Sequence, residues 1–177
     1  MGHSEFRASL MECVQKNLLE VAVASEPGAN HRSFIRFIHD RIQKSSYELL
    51  APKEREKHHL RIGLEMKKNL RYKKNRQDLI HLVNQLNSSS RLISSHMMKR
   101  ELANLNLEAG IQAMESSALE EALGFFTSGL DLLPENRWDA EYRLCYQLMS
   151  NLAYCEYLCQ DLEASDLHFQ EVTAHVK

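Results

Sequence analysis

The sequence predicts a mostly α protein, an array of helical hairpins with one small β-hairpin near the N-terminus. Apolar residues recur at spacings of three and four along most of the 177 residues, and only three prolines and six glycines interrupt them. One run breaks that period: Phe34-Ile35-Arg36-Phe37-Ile38 is aromatic and β-branched, and the loop-forming Ser25-Glu26-Pro27-Gly28-Ala29-Asn30 separates it from Val21-Ala22-Val23. A content of 44% hydrophobic and 26% charged residues is that of a globular chain with a core. No apolar run approaches the roughly 20 residues of a membrane-spanning helix.

In order along the chain, Glu5 to Val23 has a helical pattern with Leu10, Val14, Leu18 and Leu19 at spacings of three and four, although Val21–Val23 can instead pair with Phe34–Ile38. Asp40 is placed to cap the next helix, whose Ile42, Ser45, Ser46 and Leu49 share a face and which stops before Pro52. Lys53 to Leu70 forms a further helix, followed by a basic connector, Arg71–Arg76. Gln77 to Ile93 reads as a helix through Leu79, Leu82, Val83 and Leu86, weakened at Asn87-Ser88-Ser89-Ser90. Four apolar stripes follow: Leu102 to Ala113, Leu119 to Leu133, Cys145 to Cys159, and Leu162-Ser165-Phe169-Val172-Val176. Four amphipathic helices with short connections make two stacked hairpins.

Tandem hairpins invite comparison with the 34-residue tetratricopeptide pattern, which needs small residues where helices cross, an aromatic between hairpins and a closing proline. Gly110, Ala122, Phe126, Gly129 and Pro134 stand at those mutual spacings. Ala153, Ser165 and Phe169 take the equivalent places in a second unit, 43 residues on rather than 34, so its connecting segment is longer. Any antiparallel four-helix array predicts the same stripes; Gly110 and Pro134 favour the repeat.

Net charge is −2 but unevenly spread: residues 53–76 hold ten Lys/Arg against three Glu, and residues 101–177 hold three against fourteen Asp/Glu. Solvated helix faces are the simplest account of both blocks. The four cysteines, Cys13, Cys145, Cys155 and Cys159, have no CxxC spacing and read as reduced thiols. No phosphate-binding loop, GxGxxG, GxSxG or HExxH motif is present. Adjacent His58 and His59 point about 100° apart on a helix and do not share an ion. Cys155, Cys159 and His168 could meet at a metal, but the cysteines lie on an apolar stripe and read as core. His39-Asp40 resembles half of a general-base dyad with no nucleophile beside it, and reads as a strand-to-helix junction.

Phe37-Ile38-His39-Asp40-Arg41-Ile42-Gln43-Lys44-Ser45-Ser46-Tyr47-Glu48-Leu49 resembles the F-x-HDR-[VI]-Q-x-[AS]-[AS]-Y-x-L segment of very large signalling proteins. These join a protein kinase-like domain, a STAND-type AAA-related ATPase, a helical region, a GAF domain and a sensor histidine kinase; fungal hybrid histidine kinases share the arrangement. Three more stretches match in order. His59-Leu60-Arg61-Ile62-Gly63 resembles the H-x-x-IG helix, and Leu82-Val83-Asn84-Gln85-Leu86-Asn87 the V-N-x-L-N segment. Residues 103–110 through 122–134 resemble the first helical repeat. Together they cover about residues 8–175.

The resemblance implies a stretch that follows the ATPase core, with the ATP-binding loop upstream and the phosphoacceptor histidine downstream. No catalytic, cofactor-binding or metal residue of that family carries over to any position here. The expected domains are a partial winged-helix-like element (1–52), a linking helical pair (53–98) and tetratricopeptide-like helices (99–177). The expected function is non-catalytic: a cytoplasmic signal-transmission or protein-interaction segment of, or fragment derived from, an ATPase-containing sensor histidine kinase, with proteins as partners and no membrane or cofactor. The alternative is nucleic-acid binding through the winged-helix-like element and the basic 53–76 stretch. That alternative predicts salt-sensitive DNA binding lost on neutralising Lys67, Lys68, Lys73 and Lys74; the acidic remainder of the chain opposes it.

Overall fold

The computed structural model describes residues 3–23, 33–69 and 76–176. They form a mostly helical protein with a two-stranded antiparallel sheet near the N-terminus. Two compact units divide the chain, Met1–Arg55 and Glu56–Lys177.

In the first unit, α1 (His3–Gln15) leads into β1 (Leu19–Val23), which pairs with β2 (Ser33–Phe37), and α2 (Asp40–Glu48) follows. The register sets Leu19 opposite Phe37, Val21 opposite Ile35 and Val23 opposite Ser33. The helical reading of Glu5–Val23 is therefore corrected: α1 stops at Gln15, Asn17 turns the chain with φ 52°, and Leu18 and Leu19 leave the helix. An asparagine tolerates that left-handed conformation better than most residues, so it ends the helix at low cost. The turn reading for Ser25–Asn30 lies outside the described residues. Asp40 does not cap α2. His39 holds the cap position without a side-chain hydrogen bond, and Asp40 is the first helical residue, where its charge suits the helix dipole. No residue of α2 is buried, so Ile42 and Leu49 do not form a core-facing stripe.

The second unit holds the core. Helix α3 (Pro52–Asn69) enters it from Glu56 onward, and α4 (Arg76–Asn87) packs on α5 (His96–Glu115). Of the basic connector, residues 71–75 lie outside the described residues and Arg76 opens α4. Helix α4 does not reach Ile93. The hydroxyls of Ser88 and Ser89 donate to the carbonyls of Asn84 (2.8 Å), Gln85 (3.2 Å) and Leu86 (3.0 Å), closing the helix end, and Ser90–Leu92 make a 3-10 turn.

Helices α5 and α6 (Leu119–Asp131) form one antiparallel hairpin. The short α7 (Arg137–Ala140) leads to a second, α8 (Tyr142–Leu158) and α9 (Leu162–Ala174). Ser95 caps α5 by accepting from the Met98 amide, and Asp161 caps α9 by accepting from the Ala164 amide at 3.2 Å. The two hairpin turns have the same geometry: Ser117 (φ 61°) and Gln160 (φ 65°) are left-handed. Each turn is closed by a matching bond, Ala118 amide to Ala113 carbonyl and Asp161 amide to Glu156 carbonyl. The stripe through Leu102–Ala113 is buried as the periodicity requires, and so is that from Cys145 to Cys155, while its last member, Cys159, stands at the C-cap of α8 and is only half-buried. The last stripe is only half so, since Ser165 and Val172 are buried but Leu162, Phe169 and Val176 are exposed. Among the described residues no helix is long and apolar enough to cross a membrane.

Candidate functional site

The stretches with signature character are also the contact points of the second unit. His59 Nδ1 on α3 lies 2.7 Å from Gln85 Oε1 on α4. A Cβ on Gly63 would stand 2.5 Å from Leu86 Cδ2, so a glycine is what lets α3 approach the α4 side chains this closely. One residue further on, α4 is locked to α5 by an amide pair. Asn87 Nδ2 donates to Asn106 Oδ1 (2.8 Å), and Asn106 Nδ2 donates to Asn87 Oδ1 (2.9 Å) and to the Leu102 carbonyl (3.0 Å). Asn106 is fully buried, so these bonds satisfy a polar group that would otherwise cost free energy there. On the next turn Gly110 faces the Phe126 ring of α6, whose Cδ1 would lie 2.7 Å from an added Cβ. Gly129 in turn faces Leu148 of α8. A continuous line of fitted contacts thus runs α3–α4–α5–α6–α8.

A polar clasp that the sequence reading missed holds the long connector to α9. Trp138 Nε1 (2.9 Å) and Arg137 Nη2 (3.0 Å) both donate to Glu171 Oε1. The Trp138 ring stacks on His175 at 4.4 Å and 5°. Burial raises the Glu171 pKa, but the bonds from Trp138 and Arg137 outweigh it and hold the carboxyl below its ordinary value. The signal available in the sequence was the lone tryptophan, placed between two helices with two basic or acidic neighbours.

The other sequence candidates are placed separately. His58 lies near Arg61 and His59 faces Gln85, so the two do not converge. Cys155 is buried, donates to the Leu119 carbonyl, and burial pushes its thiol up to about 11; Cys145 is likewise pushed to about 11. His168 Nδ1 sits 2.8 Å from Glu156 Oε2 instead of facing the cysteines. Among the described residues no group of three His, Cys, Asp or Glu side chains could hold a metal. Lys67 pairs with Glu101 at 2.5 Å and Lys68 with Glu65 at 3.3 Å; Lys73 and Lys74 lie outside the described residues. In the first unit, the Phe37–Leu49 stretch is tied down by Arg55. Its guanidinium lies 4.7 Å from the Tyr47 ring centre and donates to the Leu50 and Glu48 carbonyls. Phe37, Tyr47 and Leu50 line an open, apolar hollow of about 500 Å³ beside it.

These contacts fit the helices of the second unit to one another. The chain is 25% identical over 179 residues to hybrid signal transduction histidine kinase G of Dictyostelium discoideum. The similarity covers 84% of this chain and 5% of the kinase. It supports a distant link to sensor kinases. No protein-family profile matches the chain, and no solved structure matches it.

Proposed function

We propose that the chain is a non-catalytic signal-transmission and protein-interaction segment of a large, ATPase-containing sensor histidine kinase, or derived from one. Residues 1–52 are a winged-helix-like end piece, 53–98 a linking helical pair and 99–177 a tetratricopeptide-like array, acting in the cytoplasm on protein partners. The observation that carries this reading is the coincidence of signature and contact. Gly63, Asn87, Asn106, Gly110 and Phe126 belong to the stretches that resemble such kinases, and they are the residues that fit one helix to the next. Residues held for chemistry would converge on a cavity; these converge on helix crossings.

The mechanism is mechanical. Each helix buries its apolar stripe against its neighbours, so a displacement of α3 or α4 is felt through the Asn87–Asn106 pair in α5 and through Phe126 in α6. In-cell crosslinking, with an antibody to residues 135–177, tests the role. The expected result is crosslinks within or onto a sensor kinase polypeptide carrying an ATPase. A crosslink set without any kinase or ATPase polypeptide refutes it.

A further inference from the structure

Between Asp78 and Glu101 the chain carries no acidic residue, while Arg91, Lys99 and Arg100 are basic. This stretch holds the joint of α4 and α5 and five serines, Ser88, Ser89, Ser90, Ser94 and Ser95. Their hydroxyls are not equivalent. Those of Ser88 and Ser89 close the end of α4, and that of Ser95 accepts from the Met98 amide at 3.4 Å. Ser90 lies within the 3-10 turn. Ser94 is exposed, stands outside any helix or strand, and its hydroxyl has no hydrogen-bond partner among the described residues. The backbone on either side is extended, with Ile93 at φ −86°, ψ 100° and Ser95 at φ −70°, ψ 122°.

Among the described residues, Ser94 is also the one serine or threonine with a Lys or Arg three places before it, Arg91. Arg91 is exposed, and no acidic side chain among the described residues pairs with it. An open hydroxyl in extended backbone enters a catalytic cleft once the 3-10 turn and the Ile93 anchor loosen. The free guanidinium at a fixed distance gives an acidic enzyme pocket its handle. The product also meets a matched environment. Helix α5 has no acidic residue in its first turn, and Lys99 and Arg100 stand near its start, where cations oppose the helix dipole. Phosphate on Ser94, one place before the Ser95 cap, brings about −1.5 to −2 charges to that end. Arg91 and Lys99, neither ion-paired among the described residues, line one hollow of about 260 Å³ beside the joint and are the nearest cations in sequence to receive it.

We propose that Ser94 is a phosphorylation site for an arginine-directed serine kinase, and that its phosphate tightens the N-terminal end of α5. The Ser94 Oγ attacks the γ-phosphorus of magnesium-bound ATP, and the bond from that phosphorus to the bridging oxygen breaks. ADP leaves with the electron pair, and the hydroxyl proton passes to a carboxylate of the kinase. The site stands whether or not the chain belongs to a sensor kinase.

The test uses the full folded chain, magnesium ATP and, as an arginine-directed probe, the catalytic subunit of the cyclic-AMP-dependent protein kinase. Fragmentation mass spectrometry assigns the site, and hydrogen exchange follows the Lys99 amide, which bonds the Ser95 carbonyl, and those after it in α5. The expected result is phosphate on Ser94 and none at that position in Ser94→Ala. Arg91→Ala should lower kcat/KM at least about ten-fold, the factor for one lost charge-assisted hydrogen bond. Exchange at the start of α5 should slow about two- to five-fold in the phosphorylated chain. Both residues are exposed, so the variants keep the fold, which circular dichroism checks. Phosphate on Ser95 in place of Ser94, modification of the urea-unfolded chain alone, a rate indifferent to Arg91→Ala, or unchanged exchange overturns the proposal. So does protein captured from phosphatase-inhibited cells, with the antibody to residues 135–177, whose Ser94 is wholly unmodified; phosphate found there supports it.

Discussion

Replacing Asn106 by alanine removes three hydrogen bonds, two shared with Asn87 and one to the Leu102 carbonyl. At a net of about 1 kcal/mol each, the loss is about 3 kcal/mol. Asn87 is half-buried, so its freed amide regains water and adds little. The reverse substitution is less forgiving. Asn87→Ala removes only the two shared bonds, about 2 kcal/mol, but strands an amide on Asn106 where no water reaches, which adds about 1–2 kcal/mol. The two single variants should therefore be about equally damaging, and the double variant scarcely worse than either, a coupling of about 3–4 kcal/mol. Urea unfolding read by the fluorescence of Trp138, which lies in the same unit, measures all three variants. Single effects that add to within about 0.5 kcal/mol would refute the reasoning, because independent sites behave that way.

Three further outcomes follow from the same contacts. Gly110→Ala should destabilise by about 1–3 kcal/mol, because its methyl meets the buried Phe126 ring, whereas Gly124→Ala, with open space at its Cβ, should be neutral or stabilising by up to about 1 kcal/mol. Glu171, whose folded pKa is depressed, contributes stability above its ordinary value of 4.5 and loses it as pH falls through the lower folded value. A pH series of melting temperatures should thus show a fall in that window that Glu171→Gln abolishes. Iodoacetamide at neutral pH should label Cys13 and Cys159, both half-buried, well before Cys145 and Cys155, whose buried thiols stay protonated to about 11; mass spectrometry orders the sites.

The helices of residues 99–177 were legible because each buries a stripe against a neighbour that the same chain supplies, so period and burial agree at Leu102, Ala109, Phe126 and Leu148. Where that condition lapses, periodicity misleads. Leu18 and Leu19 continue the spacing of α1, yet strand pairing with Phe37 takes Leu19 and the backbone turns at Asn17. Phe169 and Val176 continue the spacing of α9 without a neighbour to cover them. Asp40 has the chemistry of a cap, but the β2–α2 junction sets the helix start one residue earlier, at His39. The contact points were visible only as a resemblance. Nothing in the spacing says that Asn87 and Asn106 face each other, and only Asn106, a polar residue among apolar neighbours on α5, carried a local hint of a buried partner. The Trp138–Glu171–His175 clasp depends on a return of the chain over more than thirty residues, which no local pattern encodes.

The central claim is that the fitted helices act as one mechanical element, and hydrogen exchange on a Leu86→Ala variant tests it most directly. Leu86 is 2% exposed, packs beside Gly63 at the α3–α4 crossing, and its truncation costs about 2–5 kcal/mol. If a change there is transmitted, exchange should quicken together in α5, α6, α8 and α9 as well as in α4. Faster exchange confined to α3 and α4, with the two later hairpins unchanged, would contradict it.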